Sequence, residues 1–339
     1  MPIAPIAVRR GFAAAIRHAI RPTAALTLAV AFAGWAFAQG AARAETKLVV
    51  AKVATDPAFV MADYGVELGI FKKHGLDITV PSIVQAKMVQ AVIGGSVDMS
   101  LASGATLAFI AKGAPLKAVA ALSGPPRILV LVVRSDKSVT SVDQLKGRTV
   151  AITNFGSLTD WAVAQLLTSK GWKASDVQMA AVGSTPARIA ALKAKNADAA
   201  VVDIGAALNL EDHGDAKILV GFGDVIKNFQ NQIIYASDKI IKDNPQAVRG
   251  FVAGWFETIA YAKSHKPETV AFLQKAMHYS PSVAGKAYDA LFPTDFFSTD
   301  GTIDPKTLAA MAKNFYEQKR LPKEVDLTQY VTTQFLPKK

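Results

Sequence analysis

The stretch GGSVDMSLASG, residues 94–104, returns one hundred residues later as KNADAAVVDIG, residues 195–205. Asp98 answers to Asp198, and Ser103 to Asp203. Each copy reads as a turn, an acid, a short apolar strand, and a small or acidic residue at the strand's end. Such an end lacks the bulk to fill a core. A chain that builds this strand twice is constrained to two similar units, each leaving room beside a strand terminus.

The hydrophobic periodicity around the two copies supports that division. Residues 47–54, 76–80, 98–102 and 116–122 read as strands, separated by helical patterns at 59–75, 86–95 and 105–113. A second series follows: strands at 148–153, 176–182, 198–202 and 216–221, with helices at 158–170, 186–195 and 204–211. Strand–helix alternation with short connections predicts mostly parallel sheets covered on both faces. Two longer, nearly all-apolar strands, in SGPPRILVLVVRSD (123–136) and NQIIYAS (231–237), interrupt the rhythm. After the second the pattern is helical only, with start signals at Asn244-Pro245, Lys266-Pro267-Glu268, Ser280-Pro281 and Asp304-Pro305. Ser141 and Gln144 have capping-box spacing, and Thr185-Pro186 fits an N-cap followed by Pro at N1. These series predict an α/β protein of two lobes with two crossings. The first lobe takes 45–134 plus 229–339, the second 135–228; a single continuous sheet of roughly ten strands is the alternative. Parallel strands of both lobes would end at the cleft between them, where α/β sheets bind ligands.

The first 44 residues carry Arg9, Arg10, Arg17 and Arg21 and no acid, then AALTLAVAFAGWAFA (24–38) and Ala42-Arg43-Ala44. This order predicts a secretory signal cleaved before Glu45, and a periplasmic, soluble, monomeric mature protein. The alternative, a single membrane anchor, is disfavoured because the apolar run is shorter than the ~20 residues that span a bilayer. Without that segment and its five arginines, 33 Lys and Arg face 27 Asp and Glu, so the excess falls from +11 to +6. The remaining lysines are scattered and not interleaved with aromatics, which argues against a nucleic-acid partner. The chain has no cysteine, so an exported fold must be held by its core, and thiolate metal sites and thiol nucleophiles are excluded. The histidines have no metal-like spacing and no serine–acid frame, and GFGDV (221–225) lacks the GxGxxG of a phosphate loop. No cofactor or metal is expected.

YGVELGIFKKHGLDI (64–78), MVQAVIGGSVDMSLASGATLAFIAKG (88–113), SVDQLKGRTVAITNFGSLTDW (141–161) and STPARIAALKAKNADAAVV (184–202) occur in an order that carries a resemblance. From Lys47 to about Ala287 the chain resembles the periplasmic solute-binding proteins of ABC importers, in the branch handling nitrate, sulfonates, taurine and thiamin-pyrimidine-like compounds. The resemblance implies a type II periplasmic-binding-protein fold that closes on a small organic solute and delivers it to a membrane permease with its ATPase, without chemistry. Sulfonates, aromatic or other carboxylates and pyrimidine-like compounds are the ligand classes it raises. Carried over by position, the ligand loops are Thr55-Asp56-Pro57-Ala58-Phe59, Ala102-Ser103-Gly104, Ser123-Gly124, Asn154 to Thr159 with Gly156 and Ser157, Asp203, and Phe229-Gln230. Arg127, just after one of these loops, is the arginine nearest to them in sequence. A ligand-sensing partner of a membrane receptor and a cysteine-free enzyme on the same fold are the competing readings.

Each residue also has a structural reading. Ser157 and Thr159 at a helix start could hold a ligand oxygen with free N–H groups, or Ser157 could simply cap its helix. Asp160 adds a like charge there, against an anion. Asp98 and Asp198 read as turn acids bonded to local backbone. Asp203 is open between a cleft contact and an N-cap. Phe59 and Phe229 could line a ligand or fill the core. Arg188 could reach a ligand or cover its own helix, and Arg127 could meet a ligand carboxylate or an acid of the other lobe.

Overall fold

A computed structural model describes residues 45–337 apart from 53–55, 84, 156 and 228. The expected signal segment with its cleavage position, Thr55 and Gly156 therefore lie outside the described residues.

The strands are β1 (Thr46–Ala51), β2 (Leu76–Thr79), β3 (Met99–Ser103), β4 (Leu116–Ser123), β5 (Leu129–Arg134), β6 (Thr149–Ile152), β7 (Gln178–Ala181), β8 (Ala199–Asp203), β9 (Ala216–Gly221) and β10 (Gln232–Ser237). They form two five-stranded sheets, β2-β1-β3-β10-β4 and β7-β6-β8-β5-β9. Superposing β1 on β6 turns one order into the other. In each sheet the first three strands pair in parallel, and one crossing strand pairs antiparallel with both its neighbours. The sheets are thus mixed, with four strands running one way and the crossing strand the other. β10 returns after the whole second sheet has been built to complete the first.

β5 corrects the sequence-based boundary. Residues 129–134 pair with β8 and β9, so they belong to the second sheet and not to the first, where the sequence reading put them. An all-apolar strand carries no mark of which sheet will flank it. β5 is buried at its four central positions and β10 at all six, which is why both read as continuous apolar runs instead of alternating ones.

Asp98 and Asp198 play one part twice. Asp98 Oδ2 accepts from Val49 N (2.9 Å) and Asp198 Oδ2 from Thr149 N (3.0 Å), while their own N–H groups donate to the carbonyls of the same two residues. The carboxylates therefore pin β1 to β3 and β6 to β8 where those ladders begin.

The helices start where the sequence places them, with local adjustments. Ser141 and Gln144 form the capping box. Asn244, Ser280 and Asp304 cap helices that have proline in the first turn. The cap of Thr185–Lys193 is Ser184, whose Oγ accepts from Ala187 N, and not Thr185. The pattern at 59–75 breaks into Met61–Glu67 and Ile70–Lys73, because Gly69 takes φ +67°. GFGDV contains a short helix, Phe222–Val225.

C-terminal helices tie the two sheets' layers together. Pro281–Leu291 packs on Ile204–Asp212, with Lys286 paired to Asp212. Asn314 of Pro305–Glu317 accepts from Gln165 Nε2 at 3.2 Å. Tyr279 presses on Gly205 so closely that a Cβ there would overlap its hydroxyl. No helix among the described residues is long and apolar enough to cross a membrane.

Candidate functional site

One cavity of about 470 Å³ opens between the two sheets. Its walls come from the ends of β3 and β8, the loops after β1 and β6, and the start of β10. Each repeat strand ends here. Ser103 Oγ accepts from Ala105 N (3.2 Å) and Asp203 Oδ1 from Ala206 N (2.9 Å), so both residues cap the next helix and also face the cavity. For Asp203, the N-cap is formed and the residue also lines the cavity.

The polar end is built in layers. Asp56 follows β1; its Oδ1 accepts from Ala58 N at 2.8 Å and its Oδ2 from Gln232 Nε2. Gln232 is oriented from behind by Ser123, whose Oγ donates to its Oε1 at 2.8 Å. Gln230 Nε2 donates to the carbonyl of Ser123. Burial raises the Asp56 carboxyl to about 7, opposed by the donors it accepts from and reinforced by the charge of Asp203. Burial also raises Asp203, opposed by the Ala206 N–H and by Arg188. Arg188 is itself 5% exposed, and burial lowers its pKa while Asp203 raises it. It donates through Nε to Val201 O (2.7 Å), through Nη1 to Thr153 Oγ1 (2.8 Å) and Gly183 O, and through Nη2 to Thr185 Oγ1 (2.9 Å).

The helix start at Leu158–Ser169 is partly capped within the protein. Ser157 Oγ accepts from Asp160 N (3.3 Å) and lies 2.8 Å from Thr159 Oγ1, which accepts from Thr153 N (2.9 Å). Arg320 donates to the Ser157 carbonyl at 2.9 Å. Met88, Val92, Phe109, Ile128 and Leu158 add apolar side chains to the lining.

Of the residues expected from sequence, Asp56, Phe59, Ala102, Ser103, Asn154, Ser157, Thr159 and Asp203 line this cavity. Ser123, Gly124, Arg127, Phe229 and Gln230 do not. Ser123 and Gln230 stand behind the wall, as above. Gly124 bonds by its N–H to Phe296 O and by its carbonyl to Asn231 N. Phe229 is 2% exposed and lies on Trp161, ring centroids 4.1 Å apart, which is core packing. Arg127 meets Asp295 (3.1 Å) and, across the crossing, Asp224 (3.7 Å), the protein-acid alternative for that side chain. Sequence reasoning passed over Asn231, Gln232 and Arg320 and gave Arg188 no place in the site. The polar pair Asn231-Gln232 opening an otherwise apolar strand was a usable signal; Arg320 had none.

Two sheets of this order facing a cleft define the type II periplasmic-binding-protein architecture. The model of the family described as "NMT1/THI5 like" matches residues 57–269, and the chain belongs to that family. Among similar solved structures is the alkanesulfonate-binding protein SsuA from Xanthomonas axonopodis pv. citri bound to MOPS. It is 19% identical, with 85% of this chain and 98% of that one covered and a TM-score of 0.71. The periplasmic aliphatic sulphonate-binding protein SsuA from Escherichia coli is 22% identical, covering 85% and 92%, at 0.72. The desulfurization enzyme DSZB is 15% identical, covering 85% and 97%, at 0.63. No curated protein sequence matches the chain significantly.

Proposed function

We propose that this protein is the solute-capturing component of an ABC importer, exported to the periplasm with cleavage before Glu45, and that it delivers a small organic solute to a membrane permease and its ATPase. The observation that carries this reading is the cleft. Strand ends from both sheets converge on a space of about 470 Å³, within the range that encloses a small molecule, lined by apolar side chains and a few fixed polar groups. The fold is shared with proteins described as sulfonate-binding and with an enzyme. This chain has no cysteine, so a thiol-dependent reaction is closed to it. Sulfonates, carboxylates and pyrimidine-like compounds differ in the charge they bring to the polar end.

A thermal-shift screen of residues 45–339 across these classes, followed by uptake of the best solute in a strain lacking the gene, tests the proposal. Uptake should be lost on deletion and restored by the natural chain. A Ser103→Trp variant, whose indole would occupy the cleft, should not restore it. Unimpaired uptake in the deletion strain would remove the importer role.

A further inference from the structure

The polar end of the cleft has an unbalanced charge pattern. Asp56 from one lobe and Asp203 from the other face the same space, and their negative charges act on each other. Arg188 favours the ionised form of Asp203 through its charge, but its Nε, Nη1 and Nη2 groups donate to the protein's own oxygens and not to either acid. Arg320 donates to Ser157 O and is drawn towards Asp160. Lys52, the nearest lysine in sequence to Asp56, turns to Asp63 at 3.4 Å. Behind the pair stands the Tyr279 hydroxyl, which burial, and then both carboxylates, keep from ionising. Two carboxylates held together away from water need a proton or a countercharge between them.

A second observation comes from a different residue. Asn231 is 1% exposed and lines the same cavity, yet neither its Oδ1 nor its Nδ2 has a hydrogen-bond partner among the described residues. Its main chain is fully used, N–H to Gly124 O and carbonyl from Gly104 N, so the side chain is held in place by the strand's own bonds. Gly104 allows this approach, since a Cβ there would strike the Gln230 carbonyl. A buried amide fixed in this way calls for a partner with hydrogen-bonding groups of its own. At the helix start that might have held an anion, Ser157 Oγ already takes the Asp160 N–H, and Thr159 Oγ1 is occupied by the Thr153 N–H.

We infer that the cleft takes a nitrogen cation, an ammonium or amidinium, on an apolar body. The head lies between Asp56 and Asp203 with one N–H on Asn231 Oδ1, and the body lies on Met88, Phe109 and Leu158. This inference rests on the solute-binding reading and selects the head group within it. A sulfonate or carboxylate head would face the two acids, while Arg188 and Lys52 are engaged by the protein's own oxygens and Arg320 gives its Nη2 to the Ser157 carbonyl.

The test uses matched probes: benzamidinium and 2-phenylethylammonium against benzenesulfonate and phenylacetate, titrated calorimetrically into residues 45–339. The cations should bind at least about tenfold more tightly than the anions at pH 8, a gap of about 1.4 kcal/mol. Their affinity should fall about tenfold between pH 8 and pH 6, because protonating Asp56 removes part of the countercharge. Asp203→Asn should weaken cation binding at least tenfold. Asn231→Leu, which leaves both acids in place, should weaken it less and guards against a misfolded acid variant. Equal or tighter binding of an anion, or no cation binding up to about 10 mM, overturns the inference. Anion binding with lobe closure would leave the importer reading standing while the head-group assignment falls. Should no solute of either sign close the lobes, the importer reading itself fails.

Discussion

Asp56 accepts hydrogen bonds from Ala58 N and Gln232 Nε2, and burial still holds its carboxyl at about 7. A carboxyl raised in the folded state is protonated there while the unfolded chain has already ionised. Stability is therefore fully present near pH 4 and declines as pH rises towards about 7, with a limiting slope of about 1.4 kcal/mol per pH unit. Asp56→Asn should remove that decline, so melting temperatures of variant and natural protein should diverge in the variant's favour from pH 5 to pH 8. Parallel curves would mean that Asp56 is not held protonated. Thr159 behaves differently from what its position suggests. Its Oγ1 accepts from Thr153 N and meets Ser157 Oγ. Thr159→Val should cost about 1–3 kcal/mol of stability by leaving that N–H without an acceptor, read as a lower urea midpoint at unchanged slope. At this scale the sequence was informative wherever a strand visibly ends: Ser103, Asp203 and Asp56 sit at such ends and line the cleft. It was uninformative where the chain returns from a distance. Ser123 and Gln230 look like loop residues but become the backing of Gln232, because the far strand β10 slides in between β3 and β4.

The repeated strand is the element that ties the two lobes to one plan. Asp98 and Asp198 each bond an N–H at the level where β1 meets β3 and where β6 meets β8. Replacing either by alanine should cost a similar amount, about 1–3 kcal/mol, since each leaves one partly buried N–H unsatisfied. Separate urea titrations of Asp98→Ala and Asp198→Ala check this, and a cost at only one position would break the equivalence. Helix and strand positions were largely legible from periodicity and from proline-flanked caps such as Asn244 and Ser280. The sheet membership of β5 was not. Its side chains are apolar on both faces, and only pairing with β8 and β9 decides where it lies.

For the molecule as a whole, the chain passes between the sheets next to the cleft, with Ile128 at the first crossing and Asn231 at the second lining it. Across it, Lys286 pairs with Asp212, Gln165 with Asn314, Arg320 with the Ser157 carbonyl, and Tyr279 abuts Gly205. Together with the apolar packing of Pro281–Leu291 on Ile204–Asp212, these are the contacts that a rotation about the two crossings would have to rearrange, without opening either sheet. The two-lobe plan was visible in the doubled strand–helix series, whereas these contacts join residues too far apart in sequence for any local pattern to show. The central claim is that solute enters between the lobes and holds them together. Small-angle scattering from residues 45–339, alone and saturated with the tightest solute from the binding screen, tests this most directly. The account predicts a smaller radius of gyration in the presence of solute, and none of that change in Ser103→Trp. Saturable binding to the natural protein with an unchanged scattering profile would contradict it.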